Sequence, residues 1–415
     1  MGSKLSVTLS HSGKQHSYHV AQGLKELGML DKFYTSSYIT QPFLQEYFLK
    51  KGNTFFTRRF QPGLAAPFVK ARWDFELKEI IFRKLYGKTE KTQNAVYHRD
   101  VNFDKYIANL LPRQASNAYW GFQGSAHQSL IAAKKAGKLA IVELATAHVK
   151  ASIEILGEEA KLQPDFADSL DNLVFPDFYQ KRLEEEPHIA DICIAASAFT
   201  KQTMLADGIA EDKIITLPLG FDMDYVPYQP TVKSDFEKKP LRLLYAGTLT
   251  QRKGIKYLLN VMQQLKNENI TLTCIGGIQG SGDGLKAYKG LFTHIPAVSQ
   301  FEMFKLYQEY DALVLPTVFE GFGLVIVEAM AAGLPVITTP HSIGPELISN
   351  SENGYIVPIR NENALLEAIV SLRSKSQEEY QAMRLCARKT VESYTWNAYQ
   401  TRLAVVCQQI QTKIK

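Results

Sequence analysis

What most constrains the fold of this 415-residue chain is an alternation: short runs rich in β-formers are followed, again and again, by loops and amphipathic stretches of helical period. KLSVTLS leads through Ser10-His11-Ser12-Gly13-Lys14 into the amphipathic residues 18–27, which stop at Gly28. An Ala-rich helical stretch at 126–136, closed by Gly137, leads to the strand-like LAIVEL; DICIAAS then leads to FTKQTMLADG and on to KIITLPLG. Alternation of this kind predicts parallel strands with helices on both faces of the sheet.

A second series begins after residues 225–240, where Pro227, Pro230 and Pro240 stand among charged residues as in a linker. It runs LRLLYAG, IKYLLNVMQQLK, ITLTCIGG, FEMFKLYQEY, ALVLPT, LVIVEAMAAG, LPVITT and ALLEAIVSL, alternating strand and helix. The chain therefore divides into an α/β domain at 1–225, a linker at 226–240 and a second doubly wound domain at 241–395. A last helix at 396–415 lies beyond what the second sheet needs and is expected to return to the first domain. In such sheets ligands bind outside the carboxyl ends of the strands, so the loops after strands and the cleft between the domains are where chemistry belongs.

Composition narrows the classes. With 45% apolar and 21% charged residues the chain has material for packed cores and is not of disordered type. Its four cysteines have no CxxC or His/Cys spacing, which argues against a structural zinc site or disulfide framework and fits a reducing cytoplasm. No run of eighteen apolar residues and no signal-type segment is present, so neither a membrane span nor export is expected. The net charge of +5 is too small to announce a nucleic-acid binder. Its distribution says more: residues 50–88 hold ten bases against three acids, and residues 143–191 twelve acids against four bases.

Three loops carry candidate chemistry. The first, Phe319-Glu320-Gly321-Phe322-Gly323-Leu324, follows ALVLPT and opens the helix containing Glu328. Gly-Phe-Gly frees backbone amides at a helix start, a natural anion site. Glu320 would repel a phosphate there unless it points at another part of the ligand, such as sugar hydroxyls. Glu328 is the only formal charge between Gly321 and Pro345 and needs a partner in so apolar a run. The two glutamates stand eight positions apart across a glycine break, so they are not the facing carboxylate pair of a glycosidase. The second loop, Gly247 to Gly254, sets Arg252 beside Lys253 at a helix start, a fork and a point charge suited to a diphosphate. The third is the loop after KLSVTLS. Thr8 and Gln15 break the P-loop pattern there, but Gly13 still lets backbone approach a ligand. The glycine-rich Gly276–Gly284 reads as a mobile lip near the nucleotide, and Asp222-Met223-Asp224 as a poor metal site.

LLYAGTLTQRKGIKYLL, VLPTVFEGFGLVIVEAMAAGLPVITT and SIGPELISNSENGYIVP resemble the C-terminal half of the retaining glycosyltransferases of family 4. The resemblance implies the GT-B fold and transfer of a sugar from a UDP- or GDP-sugar with retention and without a required metal or other cofactor. It implies that Glu320 and the backbone of Gly321, Phe322, Gly323 and Leu324 hold the donor hexose and phosphate. Glu328 would accept from ribose hydroxyls, Arg252 and Lys253 would neutralise the diphosphate, and Gly13 would lie against the donor from the other domain. Thr248 stands where the family usually has arginine. The family also places a histidine near the donor sugar; in AIVELATAHVKAS the strand ends at Glu143, and His148 is the candidate, with His127 and His11 behind it.

The acceptor, a glycan or a lipid-linked intermediate, falls to the first domain. The basic, aromatic-studded 50–88 suits either an anionic membrane surface or phosphate-bearing acceptor, or else a helical insert whose bases pair with the acids of 143–191. Two other classes stand against the enzyme: a non-catalytic nucleotide-sugar or glycan-binding protein of the same fold, and a phosphorylase-like enzyme needing lysine-bound pyridoxal phosphate. Turnover after donor binding separates the first, a cofactor absorption band the second.

Overall fold

The computed structural model describes residues 4–414 apart from 14–15, 53, 65, 88, 171–172, 230–235 and 237; Lys14, Gln15, Lys88, Asp171 and Pro230 of the sequence reading thus lie outside the described residues. Two parallel sheets organise the chain. The first contains β1 (Val7–His11), β2 (Leu30–Thr35), β3 (Val69–Ala71), β4 (Ala118–Phe122), β5 (Leu139–Leu144), β6 (Ile192–Ala195) and β7 (Ile214–Thr216), in the order 3-2-1-4-5-6-7. The second contains β8 (Leu241–Ala246), β9 (Ile270–Ile275), β10 (Thr293–Ile295), β11 (Ala312–Leu315), β12 (Val336–Thr338) and β13 (Gly354–Ile356), in the order 10-9-8-11-12-13. Central strands such as β1, β4, β6 and β11 are buried along their whole length because helices cover both faces, which is why β4, β6 and β11 read as nearly unbroken apolar runs, whereas β1 also buries Thr8, Ser10 and His11. The expected pair of doubly wound domains is what the chain forms.

The segment joining the sheets is packed rather than free along its described part. Val226 and Phe236 are buried in the second core, Phe236 lies edge-on to Tyr380 at 5.0 Å, and the Pro227 carbonyl accepts from Gln308 at 2.7 Å.

The last helix, Trp396–Gln411, crosses back as expected. Thr395 caps it, its hydroxyl accepting from the Ala398 amide at 3.2 Å, and Tyr399, Leu403, Val406, Cys407 and Ile410 are buried in the first domain's core. Trp396 stacks on His19 with ring centroids 3.5 Å apart. Gly23 makes the close approach to the helix Ser17–Glu26 workable: a Cβ there would lie 2.6 Å from a Leu403 methyl.

The pairing that one of the two readings of 50–88 requires, between its bases and the acids of 143–191, does not occur among the described residues. Arg59 pairs with Glu76 at 2.6 Å, Arg72 with Asp74 at 2.8 Å and Arg83 with Glu79 at 2.6 Å. Three of these acids turn to the second domain instead, Glu158 and Glu159 binding Arg360 and Asp165 binding Lys256, while Glu143, Glu185, Glu186 and Asp191 are held within the first. Topology is the reason. Residues 50–88 surround the β3 edge, whereas 143–191 follow β5 on the other side of the sheet. Among the described residues no helix is long and apolar enough to cross a membrane.

Leu403 is fully buried across this junction, so Leu403→Ala is expected to cost about 2–5 kcal/mol. Thermal unfolding should show a lowered first transition; an unchanged profile would mean the helix is only loosely docked.

Candidate active site

In the second sheet the strand order reverses between β8 and β11, and the loops after these two strands meet there. After β8, Thr250 caps the short turn Gln251–Lys253, its hydroxyl accepting from the Arg252 amide at 3.3 Å. Gly254, at φ 70°, lets the turn lie on the opposite loop, since a Cβ there would fall 1.9 Å from the Pro316 carbonyl oxygen. The Arg252 carbonyl accepts the amides of Val318 and Phe319 at 2.9 and 3.1 Å and the Thr317 hydroxyl at 3.2 Å. Two loops distant in sequence thus become one rigid wall.

Side chains extend this joint. Arg252 Nη1 donates to the Phe319 carbonyl and to Glu320 Oε2, both at 3.0 Å, and Lys253 Nζ lies 3.7 Å from the same carboxylate. Burial alone would raise Glu320's pKa, but the charges of Arg252 and Lys253 outweigh it and hold the carboxyl below its usual range, so it is an anion at neutral pH.

Gly323, at φ 85°, starts the helix Leu324–Ala331. The Ile326 amide is taken by the Gly323 carbonyl, while Leu324 and Val325 present the helix start to a cavity. One turn further, Glu328 accepts from Tyr307 Oη and from Gln300 Nε2, each at 3.0 Å. These are the partners its apolar surroundings demanded. Burial raises its pKa, with the two hydrogen bonds and Lys253 partly offsetting the effect.

The cavity, about 430 Å³, runs from Lys253 and Glu320 past the start of the helix to Glu328 and Tyr307, with Gly276 and Gly277 on its far side. It sets the Lys253 ammonium, the start of a helix and the Glu328 carboxylate along one trough. Five predicted residues, Lys253, Glu320, Gly323, Leu324 and Glu328, line it together; Arg252 stands behind Glu320.

The other expected residues do not line this cavity. Phe322 is a core side chain with 3% exposure. Gly321 faces the first domain: a Cβ would lie 2.5 Å from the Ala145 carbonyl oxygen, and its own carbonyl accepts from Ser197 Oγ at 2.5 Å. Gly13 packs on Arg99, whose Nη2 would lie 3.2 Å from an added Cβ, and its amide donates to His11 Nδ1 at 2.8 Å. His148 does not face the cleft. It precedes the helix Val149–Leu162 with its ring fully buried near Asp207, and burial lowers its pKa, because the chain turns into the helix before the ring can reach the opening. His127 bonds Glu185 at 2.7 Å, and burial lowers His11 to about 4, leaving it neutral. The glycine-rich lip is fastened, with the Ser281 amide donating to Asp168 at 2.7 Å. Asp222 and Asp224 join no cluster: among the described residues no three of His, Cys, Asp and Glu gather as a metal site requires.

The position that sequence reasoning passed over is Glu143. At the end of β5, almost fully buried, it accepts from Trp120 Nε1 at 2.9 Å and bonds His16, and it lines a 240 Å³ cavity with Gln123, Thr146, Tyr97 and Phe319. Phe319 and Glu320 are adjacent, so this cavity and the larger trough lie on either side of one short segment. Its signal was a lone acid ending an apolar strand.

Comparison with known proteins places this geometry. Residues 240–375 match the family model described as Glycosyl transferases group 1. A putative colanic acid biosynthesis glycosyltransferase, WcaL of Escherichia coli K12, is 28% identical over 200 residues, 45% of this chain and 48% of that protein. The chain spans about half the length of the curated relatives it matches. Over nearly whole chains, the structure is similar to sucrose-phosphate synthase from Thermosynechococcus elongatus (TM-score 0.62, 18% identity, 99% of this chain and 100% of that one). It is similar also to Anabaena HepE in complex with UDP and glucose (TM-score 0.61, 13% identity, 97% and 99% covered). The second domain thus matches the glycosyl transferases group 1 model over residues 240–375, and the whole chain has the GT-B fold.

Proposed function

We propose that the protein is a retaining glycosyltransferase that moves a sugar from a UDP- or GDP-sugar to a glycan, glycolipid or lipid-linked acceptor, without a metal. The observation that carries this reading is the trough itself, with Lys253 and the amides of Leu324 and Val325 at one end and Glu328 braced by Tyr307 at the other. That order of groups suits a diphosphate followed by a ribose. WcaL's name and the UDP and glucose in HepE support the same class of ligand.

In this reading the bond from the anomeric carbon to the β-phosphate oxygen breaks and the diphosphate departs with the electron pair. The acceptor hydroxyl then attacks from the same face and its proton passes to the leaving phosphate. Charge develops on that phosphate, so Lys253, Arg252 and the helix-start amides, fixed beforehand, stabilise the transition state more than the ground state. Glu320, ionised and held by both cations, turns its free lone pairs to the sugar hydroxyls. The acceptor enters from the first domain through the Glu143 cavity, and engagement of the two domains excludes water.

The surface around 50–88 supports an acceptor at a membrane. On the helix Asp74–Tyr86, Leu77, Ile81 and Leu85 form a solvent-facing apolar stripe, 56%, 45% and 67% exposed, flanked by the exposed bases Lys78 and Lys84. Such a face suits peripheral contact with an anionic bilayer on the cytoplasmic side.

Lys253→Ala is expected to lower kcat by about a hundredfold while weakening donor binding less, measured by initial rates and calorimetry with UDP- and GDP-sugars. Weakened donor binding with kcat unchanged would assign Lys253 to ground-state binding alone. Nucleotide affinity should fall as pH drops through Glu328's raised pKa, at higher pH than an ordinary glutamate would produce, because only the ionised group accepts from both ribose hydroxyls. Calorimetry from about pH 8 to about pH 5 should show this, and Glu328→Gln should remove the dependence. For the membrane surface, sedimentation with phosphatidylglycerol vesicles at low salt should pull down the protein, and Leu77→Glu with Leu85→Glu should release it. Wild-type protein left in the supernatant would dispose of the membrane contact.

A further inference from the structure

The turn that carries Arg252 and Lys253 belongs to the second domain, yet it is fastened from the first. Ser169, at the end of the 3-10 turn Pro164–Ser169, offers its carbonyl to the Thr250 hydroxyl and its Oγ to the Gln251 amide at 2.9 Å. The Gln251 side chain is fully buried and held at both ends: Nε2 donates to Glu159 Oε1 at 2.8 Å, and Oε1 accepts the Lys256 amide at 3.0 Å. Glu159, on the helix Val149–Leu162, is fully buried too. It also accepts from the Tyr257 hydroxyl at 2.8 Å and from Arg360 Nε at 2.6 Å. Arg360 sits at φ 61°, uncommon for a residue with a Cβ, and reaches the Ile155 carbonyl at 2.9 Å as well.

A buried carboxylate with three donors, one in the turn that carries Arg252 and Lys253 and one on the helix after it, is an expensive way to join two domains. An apolar contact of Ala147, Leu156 and Phe199 with Tyr257, Val318 and Phe319 already stands beside it. What the polar network adds is direction, because it specifies where Thr250 and Gln251 lie and so where the next two residues aim.

We infer that Glu159 and Ser169 are positioning residues that set the donor-gripping cations, so that the nucleotide site is completed only when the first domain engages the second. The inference rests on the proposed donor reading for its ligand. A donor bound to the separated second domain would be held by a slack turn; the full grip arises in the arrangement that also brings the Glu143 cavity beside the trough.

The full chain would be titrated calorimetrically with UDP and with GDP, and its amide hydrogen exchange at 250–254 followed without nucleotide. Glu159→Gln and Ser169→Ala are each expected to weaken the preferred nucleotide about tenfold, and to cost little further in a Lys253→Ala background, because they act through that side chain. Exchange at 250–254 should quicken in Glu159→Gln and Ser169→Ala but not in Lys253→Ala. Ser169→Ala removes one hydroxyl and keeps the carbonyl contact, so it serves if Glu159→Gln fails to fold. Additive losses, or exchange unaltered in both variants, would overturn the inference. Lys253→Ala binding both nucleotides like the wild type would count against the donor reading instead, and the exchange rates would still decide whether the first domain sets the turn.

Discussion

The Arg252 carbonyl, accepting the amides of Val318 and Phe319, is the contact on which the rest of this site depends. It joins the loops after β8 and β11 where the sheet's strand order reverses, and it fixes three features at once: the aim of Arg252 and Lys253, the place of Glu320 and the start of the helix Leu324–Ala331. Gly254 is required there because a side chain would occupy the Pro316 carbonyl. The ion pairs of Glu320 follow from the backbone joint, and its ionisation follows from those pairs.

Two other constraints bring the halves of the molecule together. The final helix inserts Tyr399, Leu403 and Ile410 into the first core, so the second domain's last element is the first domain's missing wall. Across the cleft, Gly321 touches Ala145 and Thr146, while the acids of the helix Val149–Leu162 take hold of Arg360. The acids Glu158, Glu159, Asp165 and Asp168 therefore serve the contact between domains, and the bases of 50–88 are left to solvent and to their own neighbours.

Most central strands and their helices were legible because a parallel strand covered on both faces must be apolar throughout, and a helix over it must be apolar on one side. β2 escaped notice because Asp31 and Lys32 interrupt it at half-buried positions. β3 and β10 escaped because they are three-residue edge strands, β3 with Lys70 exposed and β10 mostly exposed, too short for any period to register. In the site, the Glu320 and Glu328 loop and the Arg252-Lys253 pair were readable from residue type and spacing. The histidine was not. His148 looked right by proximity to a strand end, but proximity along the chain says nothing of which way a ring turns once a helix begins.

The sequence by itself determined two doubly wound domains, a linker, a returning helix and a polar constellation after β8 and β11, since these depend on local periodicity, glycine placement and charge within a few residues. Only the tertiary structure decided that Glu143 and not His148 faces the cleft cavity, that Glu328 is answered by Tyr307 and Gln300, and that Glu159 and Ser169 of one domain hold the turn of the other. The physical reason is that a buried polar group must find its partner in space, and such partners here stand from 21 to 201 positions apart along the chain.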